Sequence, residues 1–162
     1  MSKSAVKKDA IKVFLTSSKL DPTEGIDFVK CEEAGAVIMF GGTTRNSFED
    51  KKVSDLSYEA HEKLACRSLE RIALEALDKF SDDGKDTLIH KVYLAHRLGH
   101  VPVKEESVLV VLSSTHRQEG WKAAEWVLEK IKAEAEIWKK ENYNDGTSSW
   151  KENENSSVHK KN

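Results

Sequence analysis

Strands and helices that mix without strict βαβ alternation predict an α+β fold, a mixed or antiparallel sheet with helices packed on it. Three observations carry this reading. Short apolar runs recur at residues 11–15, 36–40, 53–58, 87–94 and 107–113, the signature of strands. Two longer stretches place apolar residues three and four apart, the signature of helices with one buried face. The length of 162 residues suits one compact domain and is short for two. We expect a flexible N-terminus over residues 1–8, a folded domain over 9–150, and a polar, disordered tail over 151–162, which holds little that could enter a core.

Ile11, Val13 and Leu15 alternate with Lys12, Phe14 and Thr16, so the chain opens with a strand. Asp21-Pro22 starts a short helix, with Asp21 as cap and Pro22 in the first turn. The run 36–40 reads as a buried strand ending at Gly41-Gly42, where the backbone can be approached closely. Thr43-Thr44-Arg45-Asn46 follows as a loop, then a strand over 53–58. Leu64, Ala65, Leu69, Ile72, Ala73, Ala76, Leu77 and Phe80 define the clearest amphipathic helix, closed by a turn at Ser81-Asp82-Asp83-Gly84. Two more strands flank His96-Arg97-Leu98-Gly99 and Val101-Pro102-Val103. Thr115 and Gln118 have capping-box spacing, which puts His116 and Arg117 at the start of a last long helix. Its buried stripe is expected at Ala124, Val127, Leu128, Ile131 and Ala135.

With 26 Lys+Arg against 28 Asp+Glu, the chain lacks the basic excess of a dedicated nucleic-acid binder. No apolar run approaches the roughly 18 residues of a membrane span, and the N-terminus has no secretory h-region. The two cysteines, Cys31 and Cys66, form neither a CxxC motif nor a disulfide framework. A cytoplasmic location is expected. No His/Cys/Asp spacing supports a metal.

Lys132 and Lys139 are the residues with most chemical promise. Lysines on a helix are ordinarily a solvated face, but Lys132 borders the stripe through Leu128 and Ile131. Trp138 could shield Lys139 from water, and a desolvated lysine can act as a general acid or base. On a continuous helix the pair would share one face, about 10 Å apart. His116-Arg117 places two cations at a helix N-terminus, against the macrodipole, a cost that a bound anion would offset. Arg45, after a buried strand and a glycine pair, has the position of a phosphate contact.

These segments together carry a resemblance. Phe40-Gly41-Gly42-Thr43-Thr44-Arg45-Asn46, Leu56-Ser57-Tyr58-Glu59-Ala60, His96-Arg97-Leu98-Gly99, Ser113-Ser114-Thr115-His116-Arg117, and Lys132 followed by Ile137-Trp138-Lys139-Lys140-Glu141 occur in this order. The chain resembles the large, catalytic subunit of molybdopterin synthase, from about Asp21 to Trp150, and looks closer to eukaryotic members. The resemblance implies a homodimer within a heterotetramer, with a small ubiquitin-like sulfur carrier at each end. The carrier's C-terminal Gly-Gly thiocarboxylate would deliver two sulfurs to cyclic pyranopterin monophosphate, forming the dithiolene of molybdopterin. Carried over by position, Lys132 and Lys139 are catalytic. Thr43, Thr44, Arg45, His116, Arg117, Lys140 and Glu141 join them in binding substrate, and no cofactor or metal is implied. Family members commonly carry Pro where this chain has Glu136, so the helix can run on toward Lys139, with Glu136 pairing Lys132 one turn away, or break near Glu136 and return Lys139 through a loop anchored by Trp138; either route brings both lysines to one pocket. His61 stands where the family commonly has an aromatic. Two other readings compete: a non-catalytic anion-binding module that docks a ubiquitin-like protein, and a nucleotide or RNA binder.

Overall fold

The computed structural model describes residues 7–82 and 86–151. Two sheets share the chain. The first has strand order β1 (Ile11–Thr16), β7 (Ile89–Arg97), β9 (Glu106–Ser114), β2 (Ala36–Thr43). Strand β1 runs parallel to β7, and the other pairs are antiparallel. The second sheet has the order β11 (Ser148–Lys151), β10 (Ile137–Tyr143), β4 (Lys51–Ala60), β3 (Ser47–Phe48). A short strand β8 (Gly99–Pro102) also pairs with β4. A small hairpin joins β5 (Ser81–Asp82) to β6 (Asp86–Thr87). Strand β5 takes the first two residues of the closing turn expected from the sequence, and β6 lies beyond that turn. The turn's Asp83 and Gly84 lie outside the described residues.

Both faces of the first sheet are covered, which is why β7 and β9 are almost wholly buried. Helix α2 (Glu62–Lys79) and helix α3 (Arg117–Glu134) cover one face. Leu69, Ile72, Leu77, Val127 and Ile131 pack there on Ile38, Val92, Leu94, Val110 and Leu112. The short helix α1 (Pro22–Val29) closes the other face over Tyr93, Leu109 and Val111. Asp21 caps it as predicted, accepting a hydrogen bond from the Thr23 amide at 2.9 Å. Gly120 lets α3 lie close on the sheet: a Cβ there would meet Ser114 Oγ at 2.5 Å and Ile38 Cγ1 at 2.7 Å.

Several expected boundaries move. Strand β2 continues through Gly41-Gly42 to Thr43 instead of stopping at Phe40. His116, not Thr115, is the N-cap of α3, and no side chain caps it. Thr115 is drawn away by His90, whose Nε2 lies 2.9 Å from its hydroxyl. The buried stripe is Gly120, Ala123, Ala124, Val127 and Ile131; Leu128 is half-buried beside it, and Ala135, expected in the stripe, lies beyond the helix and is half-buried. The last helix does not reach Lys139. It ends at Glu134 because Ala135 turns extended (φ −77°, ψ 136°). The Glu136 carbonyl then accepts the His61 amide at 3.1 Å, which launches β10 along β4.

Lys7 pairs with Asp78, and Lys151 pairs across the ladder with Lys139, so order reaches both residues. The remainder of both predicted terminal segments, residues 1–6 and 152–162, lies outside the described residues. Among the described residues no helix is long and apolar enough to cross a membrane.

Candidate active site

A cavity of about 210 Å³ opens where the two sheets and the end of α3 meet. Each side contributes through a simple periodicity. Strand β10 alternates, so Ile137, Lys139 and Glu141 face the cavity. Trp138 is 52% exposed and does not line it. Across the ladder, Tyr58 of β4 stands directly opposite Lys139, and Leu56 opposite Glu141. The last turns of α3 bring Leu128, Ile131 and Lys132. The first sheet supplies Phe40 and Gly42 from β2, His96 from β7, and Ser107 and Val108 from β9. Thr43, Arg45 and Phe48 stand where β2 leaves its sheet. A Cβ on Gly42 would meet Val108 Cγ1 at 2.7 Å, so this wall requires glycine.

Lys132 and Lys139 therefore do converge, from a helix end and a strand rather than along one helix. Lys132 sits in the last turn of α3, where a cation suits the helix dipole. The predicted helical pairing of Lys132 with Glu136 is absent. Glu136 lies beyond the helix and accepts the Ser68 hydroxyl at 3.1 Å, tying the linker to α2. Trp138 does not shield Lys139, because side chains one residue apart on a strand face opposite ways.

Of the other predicted residues, Thr43, Arg45 and Glu141 line the cavity. Glu141 is buried at 3% exposure, with Oε2 accepting the Tyr143 hydroxyl at 2.9 Å. Lys140 faces the other side of β10, with its ammonium 5.8 Å from the Trp150 ring. Thr44 is buried and structural: its hydroxyl donates to the Val101 carbonyl at 3.2 Å and its amide to Glu105 at 3.1 Å. His116 and Arg117 are exposed at the opposite end of α3, about 22 Å of helix from Lys132. One copy of the chain does not bring them to the cavity.

From the sequence, His96-Arg97 reads as a turn that packs the adjacent strands, and Tyr58 and Ser107 receive no role; the structure puts His96 and Arg97 at the end of strand β7 instead. The Tyr58 hydroxyl donates to Ser107 Oγ at 3.1 Å, and Ser107 donates to the Gly42 carbonyl at 3.2 Å. Burial raises the Tyr58 pKa above its ordinary value, the nearby Glu141 adds to the rise, and the Ser107 hydrogen bond partly opposes it. The His96 ring packs edge-on against Tyr58, with centroids 4.9 Å apart. Burial pulls the His96 pKa down to about 4.

Chemically, the cavity offers two lysines, an arginine at its rim and a buried carboxylate. That set suits an anionic small molecule and proton transfer.

Known proteins resemble this chain over most of its length. The family model described as "MoaE protein" matches residues 15–134. A protein of Emericella nidulans named molybdopterin synthase catalytic subunit is 45% identical over 139 residues, covering 86% of this chain and 68% of its own. An Arabidopsis thaliana protein of the same name is 43% identical over 150 residues, covering 93% and 72%. Among solved structures, molybdopterin synthase from Staphylococcus aureus superposes with a TM-score of 0.77 at 29% identity, over 85% of this chain and 95% of that one. A Helicobacter pylori chain, solved as a complex of subunits 1 and 2 of molybdopterin-converting factor, superposes with a TM-score of 0.65 at 23% identity, over 87% of this chain and 89% of that one, and so bears on the fold. The matched span, the relatives and the shared architecture lead to one conclusion: this chain belongs to the MoaE family, the large subunits of molybdopterin synthase.

Proposed function

We propose that this chain is the catalytic subunit of a molybdopterin synthase, a sulfurtransferase that builds the dithiolene of molybdopterin on cyclic pyranopterin monophosphate. The observation that carries the reading is the convergence of Lys132 and Lys139 on one cavity with Arg45 at its rim. The substrate is a phosphate ester and the sulfur donor a thiocarboxylate. Both are anions, and both need cations in a partly desolvated site. Each transfer replaces a carbon–oxygen bond of the substrate by a carbon–sulfur bond, and water returns the carrier's end to a carboxylate. Lys132 and Lys139 supply positive charge for the two anions and protons for the departing oxygen. Sulfur arrives from the partner, so the reaction calls on neither Cys31 nor Cys66. The relatives share the name of a subunit, which supports a partner chain. We take that partner to be a small ubiquitin-like carrier ending in Gly-Gly.

The His116-Arg117 pair fits this reading through a second copy of the chain. Strand β2 is an edge strand of eight residues without a charge, and Val37 and Met39 are exposed along it. Uncharged, open edges of this kind pair with another strand. The start of β2 lies beside residues 114–116, with the Gly35 amide bonded to the Ser114 carbonyl, while its end forms the cavity wall. Antiparallel pairing of two β2 edges about a two-fold axis would set the His116-Arg117 end of one copy near the Thr43-Arg45 end of the other.

Incubation with cyclic pyranopterin monophosphate and a thiocarboxylated carrier, followed by assay for dithiolene, tests the activity. Absence of product overturns it. Sedimentation tests the dimer: we expect dimers for the wild type and monomers for Met39→Lys, and a monomeric wild type overturns the two-copy site.

A further inference from the structure

Among the described residues, His96, Tyr58 and Ser107 form a part of the cavity lining that offers hydrogen-bond acceptors. The His96 Nδ1 lies 2.9 Å from the Arg97 carbonyl, which can only accept, so Nδ1 carries the ring proton. The lone pair is then on Nε2. Among the described residues no protein group bonds to Nε2. It is also absent from the sealed polar atoms without a partner among the described residues, which are Arg97 Nε, Ser113 Oγ, Glu119 Oε2 and Glu136 Oε2. Nε2 is thus neither bonded nor sealed, on a residue that is 7% exposed and lines the cavity. Burial keeps the ring uncharged at neutral pH, with its pKa at about 4. The two hydroxyls beside it have spent their protons within the protein, Tyr58 on Ser107 and Ser107 on the Gly42 carbonyl. What they turn to the cavity is oxygen lone pairs.

We propose that His96 is a specificity residue of the substrate site, whose Nε2 accepts a hydrogen bond from an N–H of the reduced pterin ring. The proposal rests on the function given above. A phosphate, itself an acceptor, is repelled by this part of the lining and belongs at the rim with Arg45. The heterocycle, which carries ring N–H groups, belongs inside. A buried acceptor left unpaired penalises ligands that lack the donor, which is how such a lining selects. Tyr58 braces the ring and the Arg97 carbonyl fixes its tautomer.

The test measures binding of cyclic pyranopterin monophosphate by calorimetry without carrier, so turnover is not needed. His96→Phe keeps the contact with Tyr58 and removes the acceptor. It should weaken binding about tenfold, while activity at saturating substrate falls less. His96→Gln, which can place an amide oxygen near the Nε2 position, should recover part of the affinity. In the wild-type protein the ¹⁵N resonance of His96 Nε2 should move upfield when substrate saturates the site, a signature that a purely structural histidine would not give. Wild-type affinity in His96→Phe, or an Nε2 resonance unmoved by bound substrate, overturns the proposal while leaving the proposed function in place. Failure of the wild type to bind this compound overturns both.

Discussion

Lys132 and Lys139 reach the cavity from different kinds of backbone, so each can be removed without disturbing the other. Lys132→Ala and Lys139→Ala should each lower turnover by about 10²- to 10⁴-fold if they move protons or hold the reacting anions. Circular dichroism should show an intact fold. A variant retaining most of the wild-type rate removes that lysine from the mechanism. Trp138→Ala should leave substrate affinity unchanged, because the indole lies on the outer face of β10; a loss on calorimetry would show that it reaches the cavity. His96 makes a separate statement about acid. Its folded pKa of about 4 lies below the ordinary value of 6.5. The unfolded chain therefore binds its proton first as pH falls, and stability is lost between about pH 6.5 and 4, levelling below that. The full effect is about 3 kcal/mol. Denaturant melts across this window should show a shallower decline in His96→Phe than in the wild type, and parallel curves would contradict the burial argument.

At the scale of elements, the close approach of α3 to the first sheet is the feature most open to test. Gly120→Ala improves helix propensity, yet its Cβ would press on Ser114 Oγ and Ile38 Cγ1. Net destabilisation of about 1–3 kcal/mol is expected from the overpacking, read from the denaturant midpoint. Stabilisation would mean that the helix shifts freely. The same helix shows where sequence reading succeeds and where it stops. Its start after a strand, its buried stripe and the arrival of both lysines at one place were legible, the first two from periodicity and the last from the family pattern. Its end was not. Nothing at Ala135 or Glu136 resembles a stop signal, since there is no glycine or proline. The helix ends because β4 offers an edge, and the His61 amide and the Ala60–Ile137 pair capture the chain. Local sequence carries no trace of that partner, although burial at Ile137, Glu141 and Tyr143 follows the two-residue period that marks a strand. His96 was passed over for a related reason: a His-Arg pair before a glycine reads as a turn, and only β4 laid across it makes a pocket wall.

For the molecule as a whole, the cavity joins two sheets that otherwise have separate cores, one around Ile72, Leu94 and Val110 and another around Val53, Leu56 and Tyr143. A ligand that bridges them adds its binding energy to the folded state alone. Substrate at a hundred times its dissociation constant should stabilise the protein by about 2.7 kcal/mol, seen as a rise in melting temperature. No rise at that concentration would place the substrate elsewhere. The distribution of cations over the molecule is also informative. Lys132, Lys139 and Arg45 gather at one end of α3 and His116-Arg117 at the other, so His116→Ala and Arg117→Ala should weaken substrate binding by about 1.5–3 kcal/mol only in protein that dimerises. Equal losses in a monomeric Met39→Lys background would show that the second copy is not involved.

The linker between α3 and β10 has a further consequence. Side chains on β10 alternate between cavity and solvent, and the phase of that alternation is set where the Glu136 carbonyl meets the His61 amide. Deleting or inserting a single residue between Ala135 and Ile137 would invert the phase, turning Trp138 and Lys140 inward and Lys139 and Glu141 outward if the ladder kept its pairing. No side chain would be lost, yet both the ammonium and the carboxylate would leave the site together. Substitutions along this linker can therefore be neutral where changes of length are not, and natural variation here should be free in letter but fixed in parity.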